Sequence, residues 1–301
     1  MYLIDLCKYV LVFTLAPTVV CCTDHKTSED LFKGKDKRVH STTLVADSVY
    51  MRYPFRIKKF GSDLIISDLH GAEFYCYRFS YPHLQLKQSF AGRGDGPCEF
   101  LDVENIRFSR SGNLVALDAN KSMITTFDMS EMKSVRQVKL DKRLLRTLDF
   151  DLINDSMLIV PDYTGENRFC IINNRGLILE RLFDIPVRLK ANSSSNTVVS
   201  QAWRSFLDYN PENGILAMVT QLGHVVEIFN MNKKSIVNIV YGSNGEPEFI
   251  DNGAYAVPNG IMGYEAIQKS VSKLEKHEQN YNFEHGKEKE SKTSASRGLN
   301  T

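Results

Sequence analysis

The stretch Ser111-Gly112-Asn113-Leu114-Val115-Ala116-Leu117-Asp118 decides the fold of this chain, because it is one copy of a repeated pattern. A polar turn is followed by a short apolar run, and related stretches occupy residues 61–68, 154–162 and 212–219. Short runs rich in Val, Ile, Leu and Phe between Gly, Asn, Asp and Ser turns indicate β-strands. The pattern therefore predicts an all-β chain with four similar units.

Each unit continues with a second and a third apolar run. The second run ends in Phe127-Asp128, Ile172-Asn173 or Phe229-Asn230, where the Asp or Asn side chain can close the next turn. A further strand before the turn fits the tripeptides Ile106-Arg107-Phe108, Leu148-Asp149-Phe150 and Ser205-Phe206-Leu207. Four-stranded units that recur at roughly 45 to 55 residues are typical of β-propeller blades. A β-sandwich is the alternative, but it would not require the same order of turns and strands four times.

A glycine-rich motif follows the first unit and again the fourth. The two segments are Gly92-Arg93-Gly94-Asp95-Gly96-Pro97-Cys98-Glu99-Phe100 and Gly242-Ser243-Asn244-Gly245-Glu246-Pro247-Glu248-Phe249. Glycine allows the positive φ angles of a tight reversal, proline stiffens the exit, and the Phe can fill apolar space between blades. We predict an inter-blade linker, with a binding role as the alternative, formed by Gly94, Gly96, Pro97, Glu99, Phe100, Gly245, Pro247, Glu248 and Phe249.

The first of these motifs carries a family resemblance. Residues 94–100 resemble the Gly-x-Gly-Pro-Gly-Glu-Phe turn of the TolB-like six-bladed propeller lipoproteins common in Bacteroidota, with Cys98 in place of the last glycine. The resemblance covers roughly residues 43–268 and lies behind a leader of the expected kind. It implies a six-bladed propeller of four-stranded blades on an outer-membrane or cell-surface lipid anchor. It implies no reaction, because the family supplies no catalytic motif to carry over.

The first 22 residues differ from the rest and read as an export signal. Residues 9–20 are an uncharged apolar run of about twelve residues, too short to span a bilayer as a helix. Lys8 precedes this run, and Cys21-Cys22 and a polar segment follow it, which resembles a bacterial lipoprotein signal. We predict lipidation at Cys22, membrane attachment through that lipid, and a polar linker over residues 23–42. A buried apolar strand or helix is the alternative.

The repeat ends near residue 268. At this spacing, residues 43–268 hold about four blades and part of a fifth. Residues 269–301 are polar, mixed in charge and without strand alternation, which predicts a disordered tail. We hypothesise a shortened family member in which a frameshift or early stop replaced the last blades. A native polar extension on a smaller ring is the alternative.

Composition and motifs exclude several function classes. The 37 Lys and Arg residues balance 36 Asp and Glu, so no nucleic-acid partner is expected. The sequence has no nucleophile elbow, P-loop or His-Glu-x-x-His motif, and we assign no catalytic residue, metal site or cofactor. Cys76, Cys98 and Cys170 are scattered and have no metal-ligand spacing, and Cys76 and Cys170 are expected in the core.

One pair of residues is a candidate ligand face. Trp203, the single tryptophan, stands beside Arg204 just before a blade strand, and an aromatic ring next to a cation suits a sugar or peptide. A packing role for the ring is the alternative. The function favoured by the sequence is a non-enzymatic, lipid-anchored envelope protein that binds a peptide, glycan or protein partner. The alternative is a propeller enzyme of the glycoside hydrolase or lyase type, whose residues would converge from several blades.

Overall fold

Each copy of the repeat folds into one four-stranded antiparallel sheet. The computed structural model describes residues 49–187, 194–269 and 281–282. The predicted leader (1–22), the linker (23–42) and the tail beyond residue 269, apart from 281–282, lie outside these residues. The described strands, in chain order, are β1 (Pro54–Phe60), β2 (Asp63–Asp68), β3 (Phe74–Ser80), β4 (Leu86–Gly92), β5 (Asn105–Phe108), β6 (Leu114–Asp118), β7 (Met123–Asp128), β8 (Lys133–Lys139), β9 (Asp151–Asn154), β10 (Met157–Pro161), β11 (Phe169–Asn173), β12 (Ile178–Leu182), β13 (Ser205–Asn210), β14 (Ile215–Thr220), β15 (Val225–Asn230), β16 (Ser235–Tyr241), β17 (Phe249–Asp251), β18 (Ala256–Pro258), β19 (Gln268–Lys269) and β20 (Tyr281–Asn282).

The sheets are simple meanders, as expected for propeller blades. Blades 1 to 4 consist of β1–β4, β5–β8, β9–β12 and β13–β16, and within each blade consecutive strands are hydrogen-bonded neighbours. Two further strand pairs, β17–β18 and β19–β20, follow blade 4. The predicted all-β propeller with four-stranded blades is confirmed. No helix in the described part of the chain is long and apolar enough to cross a bilayer.

One short helix interrupts the β-structure. Helix α1 (Asn196–Ala202) lies before blade 4, and the hydroxyl of Ser195 accepts a hydrogen bond from the Val198 N–H at 3.3 Å. A serine at this position satisfies a backbone donor that the first helical turn leaves free. The strand-like sequence pattern did not predict α1.

Polar side chains close the turns between the third and fourth strands. The carboxylate of Asp128 accepts from the Ser130 N–H at 2.6 Å, and the amide oxygen of Asn173 accepts from the Arg175 N–H at 2.9 Å. Asn230 contacts the Lys233 N–H in the same way at 2.9 Å. The predicted use of Asp and Asn at these positions is confirmed, and it fixes where each hairpin reverses.

The apolar core lies between the blades. The ring of Phe127 is 5.3 Å from that of Phe90 and 5.8 Å from that of Phe100, which joins blades 1 and 2. Phe169 and Phe229, 5.3 Å apart, join blades 3 and 4. Cys76 and Cys170 are buried, as predicted. The cluster between blades 2 and 3 consists of Val115, Leu117, Ile124, Leu140, Leu144, Phe150, Leu158, Val160, Cys170 and Ile172.

We expect Phe100→Ala to lower the free energy of unfolding by about 3 to 5 kcal/mol, because it removes a fully buried ring between two blades. The neighbouring Leu101 is 42% exposed and is the matched control; Leu101→Ala should cost less than about 1 kcal/mol. Urea unfolding followed by circular dichroism measures both. Equal costs for the two variants would contradict the role given to Phe100.

Candidate functional site

The strands β1, β5 and β13, the first strands of blades 1, 2 and 4, line a central cavity of about 150 Å³ together with Asp149 just before β9 and with Ala266 and Ile267. These strands are innermost in their blades, and blade 1 meets blade 4 where the ring of Phe55 lies 6.5 Å from that of Phe206. Side chains two residues apart on a strand share a face, so an alternating set of residues points inward. The polar and charged residues that line the cavity are Arg56, Lys58, Asn105, Arg107 and Asp149.

A buried ion-pair network joins three blades at this cavity. The Arg107 guanidinium in blade 2 donates from Nη2 to Asp149 Oδ1 at 3.2 Å and to the Leu207 carbonyl of blade 4 at 2.9 Å. Its Nε lies 3.6 Å from Asp151 Oδ1. Burial raises the pKa of the Asp149 carboxyl, and the charges of Arg107 and Arg56 oppose that rise. Two opposite charges are thus held together where water is excluded.

Backbone amides occupy the remaining oxygens of the two carboxylates. Asp149 Oδ2 accepts from the Leu207 N–H at 2.8 Å, and Asp151 Oδ2 accepts from the Tyr209 N–H at 2.8 Å. Asn105 also donates from Nδ2 to Asp149 Oδ1. The acids of blade 3 are therefore used to hold blades 2, 3 and 4 in register around the cavity.

Two cations on β1 are left less completely paired. Arg56 donates from Nη1 to the carbonyls of Phe55 and Glu265 at 3.3 and 3.4 Å, and its guanidinium carbon lies 3.7 Å from the Phe55 ring centroid and 4.6 Å from that of Phe206. Among the described residues, Lys58 Nζ has no hydrogen-bond partner. The charge of Arg107 and then burial lower the pKa of Lys58 to about 8.

Acidic and basic groups also meet just before β5, next to the cavity residue Asn105. Arg146 Nη2 is 3.1 Å from Glu104 Oε1. Burial raises the pKa of Glu104, and the charges of Arg146, Arg56 and Arg204 oppose that rise. The half-buried Arg204, a candidate from the sequence, therefore lies within electrostatic range of the same carboxylate as Arg56.

Trp203 is not presented to solvent beside Arg204. Its side chain is 1% exposed, because α1 and the segment around Ala256 pack over it. The cation at its ring is Arg168, with the guanidinium carbon 5.8 Å from the ring centroid, and Arg168 also donates to Glu227 at 2.6 Å. Trp203 thus packs between α1, blade 4 and the β17–β18 pair, and the ligand face predicted at Trp203 and Arg204 stays a prediction.

The first glycine-rich motif forms a self-contained turn. The Glu99 carboxylate accepts from the Gly96 N–H at 2.8 Å, and Gly94 has a φ of +154°, a backbone conformation that favours glycine. Lys121 Nζ donates to the carbonyls of Gly96 and Glu99, both at 3.0 Å. Pro97 is exposed, and Phe100 lies in the core between blades 1 and 2.

The second motif lines a different cavity. Gly245, Pro247, Glu248 and Phe249 border an open pocket of about 640 Å³, together with an edge of Trp203. The Gly245 carbonyl accepts from the His224 N–H at 2.8 Å, which ties the motif to blade 4. Cys22 lies outside the described residues, so its lipidation stays a prediction. Within the described ranges, no group of three or more His, Cys, Asp or Glu side chains could hold a metal ion.

The channel residues were absent from the sequence candidates, although a signal for them existed. The middle residues of the three tripeptides, Arg107, Asp149 and Phe206, all line the cavity, and Leu207 lines it too. The strand predicted over Leu148-Asp149-Phe150 was placed too early, because β9 begins at Asp151. In two of the tripeptides a charged residue stands between apolar ones, so comparing the middle positions across units would have pointed to Arg107 and Asp149.

A buried carboxyl in the segment between blades 1 and 2 makes the stability of the fold depend on pH. Asp102 accepts from the Ala119 N–H at 2.7 Å, and burial together with the charges of Asp118 and Glu104 raises its pKa to about 7. A carboxyl whose pKa is raised in the folded state stabilises the fold below its ordinary pKa and loses that contribution as the pH rises through the folded value.

We therefore expect the melting temperature of the chain to fall between pH 5 and pH 8, and Asp102→Asn to reduce that fall because it removes the ionisation. Differential scanning calorimetry at both pH values measures the change. Asp95→Asn is the control, since the Asp95 side chain is 87% exposed and should leave the fall as it is. An unchanged pH dependence in the Asp102 variant would contradict this assignment.

Comparisons with known proteins agree with the fold. The model of the family described as TolB-like 6-blade propeller-like matches residues 32–290. No curated protein matches the chain in sequence.

Solved structures similar to this chain include a Bacteroides fragilis protein that is named as a predicted exported protein. It shares 14% identity and has a TM-score of 0.47, and the match covers 66% of this chain and 52% of that one. A member of the DUF4221 family from Bacteroides vulgatus has 13% identity and a TM-score of 0.45 over 66% and 61% of the two chains. A streptogramin B lyase has 14% identity and a TM-score of 0.44 over 63% and 55%. The chain spans about half the length of the first of these proteins.

Proposed function

Because the chain belongs to the family of TolB-like six-bladed propellers, we propose that it is an exported, lipid-anchored binding protein of the bacterial cell envelope. Its ligand, a peptide, a glycan or a segment of a partner protein, binds at the mouth of the central channel. The convergence of charged side chains from the first strands of several blades on one small cavity is the observation that carries this proposal.

The chemistry of the cavity supports binding. In a ring of blades, the first strands run in the same direction, so their starting ends open on one mouth. Ligand sites are typically concave and hold a few precisely placed polar groups among apolar ones. Here Phe55 and Phe206 supply the apolar wall, and Arg56 and Lys58 supply donors on a rigid strand.

The acids of blade 3 favour binding over hydrolysis as the role of this cavity. A glycoside hydrolase of the usual kind needs one carboxyl group to give a proton and a second to act as base or nucleophile. Asp149 is held by Arg107, Asn105 and the Leu207 N–H, and Asp151 by the Tyr209 N–H. Both carboxylates are therefore committed to holding the blades together.

The leader supports the location. Residues 9–20 and the Cys21-Cys22 pair that follows them are typical of an exported chain. In such a chain the leader is cleaved off before Cys22, which becomes the first residue and carries the lipid. A lipid anchor places the propeller at the outer membrane or the cell surface, where a binding protein meets peptides and glycans.

We expect the full chain, expressed in a bacterial host, to incorporate labelled palmitate and to fractionate with the outer membrane. Cys22→Ala should abolish both, because the thiol that accepts the lipid is lost. Cys21→Ala is the matched control and should keep both. Label that survives in the Cys22 variant, or a wild-type chain that stays unlabelled with residues 1–22 attached, would overturn the proposed anchor.

A further inference from the structure

We infer that the channel binds a ligand through a carboxylate group, with Arg56 and Lys58 as its cationic partners. This inference rests on the proposed binding function and names the chemical class that the site selects. We call these two residues the channel cations.

The acidic groups around the cavity are more completely paired than the basic ones. The carboxylates of Asp149 and Asp151 already accept hydrogen bonds from Arg107 or from backbone N–H groups of blade 4, at distances of 2.8 to 3.2 Å. Glu104 is paired with Arg146 at 3.1 Å. An incoming cation would have to displace these contacts, and the cavity therefore does not favour a positively charged ligand.

The channel cations are in the opposite situation. Arg56 uses Nη1 for two long contacts with carbonyl groups, and its Nε and Nη2 have no hydrogen-bond partner among the described residues. In the same part of the chain, Lys58 Nζ has none either. Half-buried donors that lack a partner gain most from a charged acceptor, because charge-assisted hydrogen bonds are the strong ones.

Aromatic rings also hold the guanidinium of Arg56 in place. Its carbon lies 3.7 Å from the Phe55 ring centroid and 4.6 Å from the Phe206 ring centroid, so it contacts rings from two different blades. A stacked guanidinium keeps the N–H groups on its edge free for a planar acceptor. A carboxylate matches that edge with two parallel hydrogen bonds.

Hydration favours a carboxylate over a phosphate. The acids that act on Lys58 repel an anion while the cations of the cavity attract it, and both effects double for a phosphate monoester, which carries about two negative charges at neutral pH. The cost of removing an ion from water rises more steeply than its charge, so the phosphate loses more free energy on entering the cavity. A cavity of about 150 Å³ admits a small group at the end of a ligand, and the rest of the ligand would lie outside the mouth.

Lys58 makes this binding depend on pH. The groups that act on its ammonium are Arg107 on β5, Asp149 and Asp151 in blade 3 and Asp208 on β13. With a pKa of about 8, the free site is mostly protonated at pH 7 and mostly neutral at pH 9. A carboxylate should therefore bind more weakly at pH 9. Lys58→Arg should keep the affinity at pH 9, since a guanidinium stays charged there.

The test compares four sugars that differ in one group: glucuronate, glucose 6-phosphate, glucose and glucosamine. Binding to the full chain in detergent is measured by isothermal titration calorimetry at pH 7. We expect glucuronate to bind, glucose 6-phosphate to bind more weakly, and the neutral and cationic sugars to show no binding. Lys58→Gln should weaken glucuronate binding about tenfold or more.

Lys59→Gln is the matched control, because Lys59 is the next residue of β1 on the opposite face, with its ammonium 4.9 Å from the Tyr81 ring centroid. It should leave the affinity unchanged. Failure of glucuronate to bind, or equal loss in the two lysine variants, would overturn the carboxylate inference. Binding of glucose or glucosamine that Lys58→Gln abolishes would also overturn it, while leaving the proposed binding function in place.

Discussion

The buried contact between Arg107 and Asp149 is the constraint on which the channel depends. The two side chains come from adjacent blades, and each also binds the backbone of Leu207 in a third. Burying two charges is costly, so the pair is favourable only where geometry and further hydrogen bonds compensate for lost hydration. Asn105 and the backbone amides of blade 4 supply that compensation.

This constraint explains the character of the site. Because the acids of blade 3 are committed to joining blades, the charge left available at the cavity is positive and comes mainly from β1. The aromatic residues are likewise divided between blade packing and the channel. Phe100, Phe127 and Phe229 fill the space between blades, whereas Phe55 and Phe206 form a wall of the channel.

Much of the fold was predictable because its signals are local. The order of turns and apolar runs predicted the blades, and residues such as Asp128 and Asn173 marked the hairpin turns. The site was harder because its contacts join distant residues. Arg107 and Asp149 are 42 residues apart in sequence, and Arg168 and Trp203 are 35 apart. The cation at the Trp203 ring is this distant Arg168, whereas the sequence pointed to the adjacent Arg204.

A double-mutant cycle between Arg107 and Asp149 tests the central claim most directly. The single variants Arg107→Leu and Asp149→Leu each leave one buried charge without its partner, and each should cost about 3 to 5 kcal/mol in free energy of unfolding. The double variant should cost clearly less than the sum of the two, since it leaves no unpaired charge. Additive costs in urea unfolding would show that the two residues do not interact, and would contradict the channel described here.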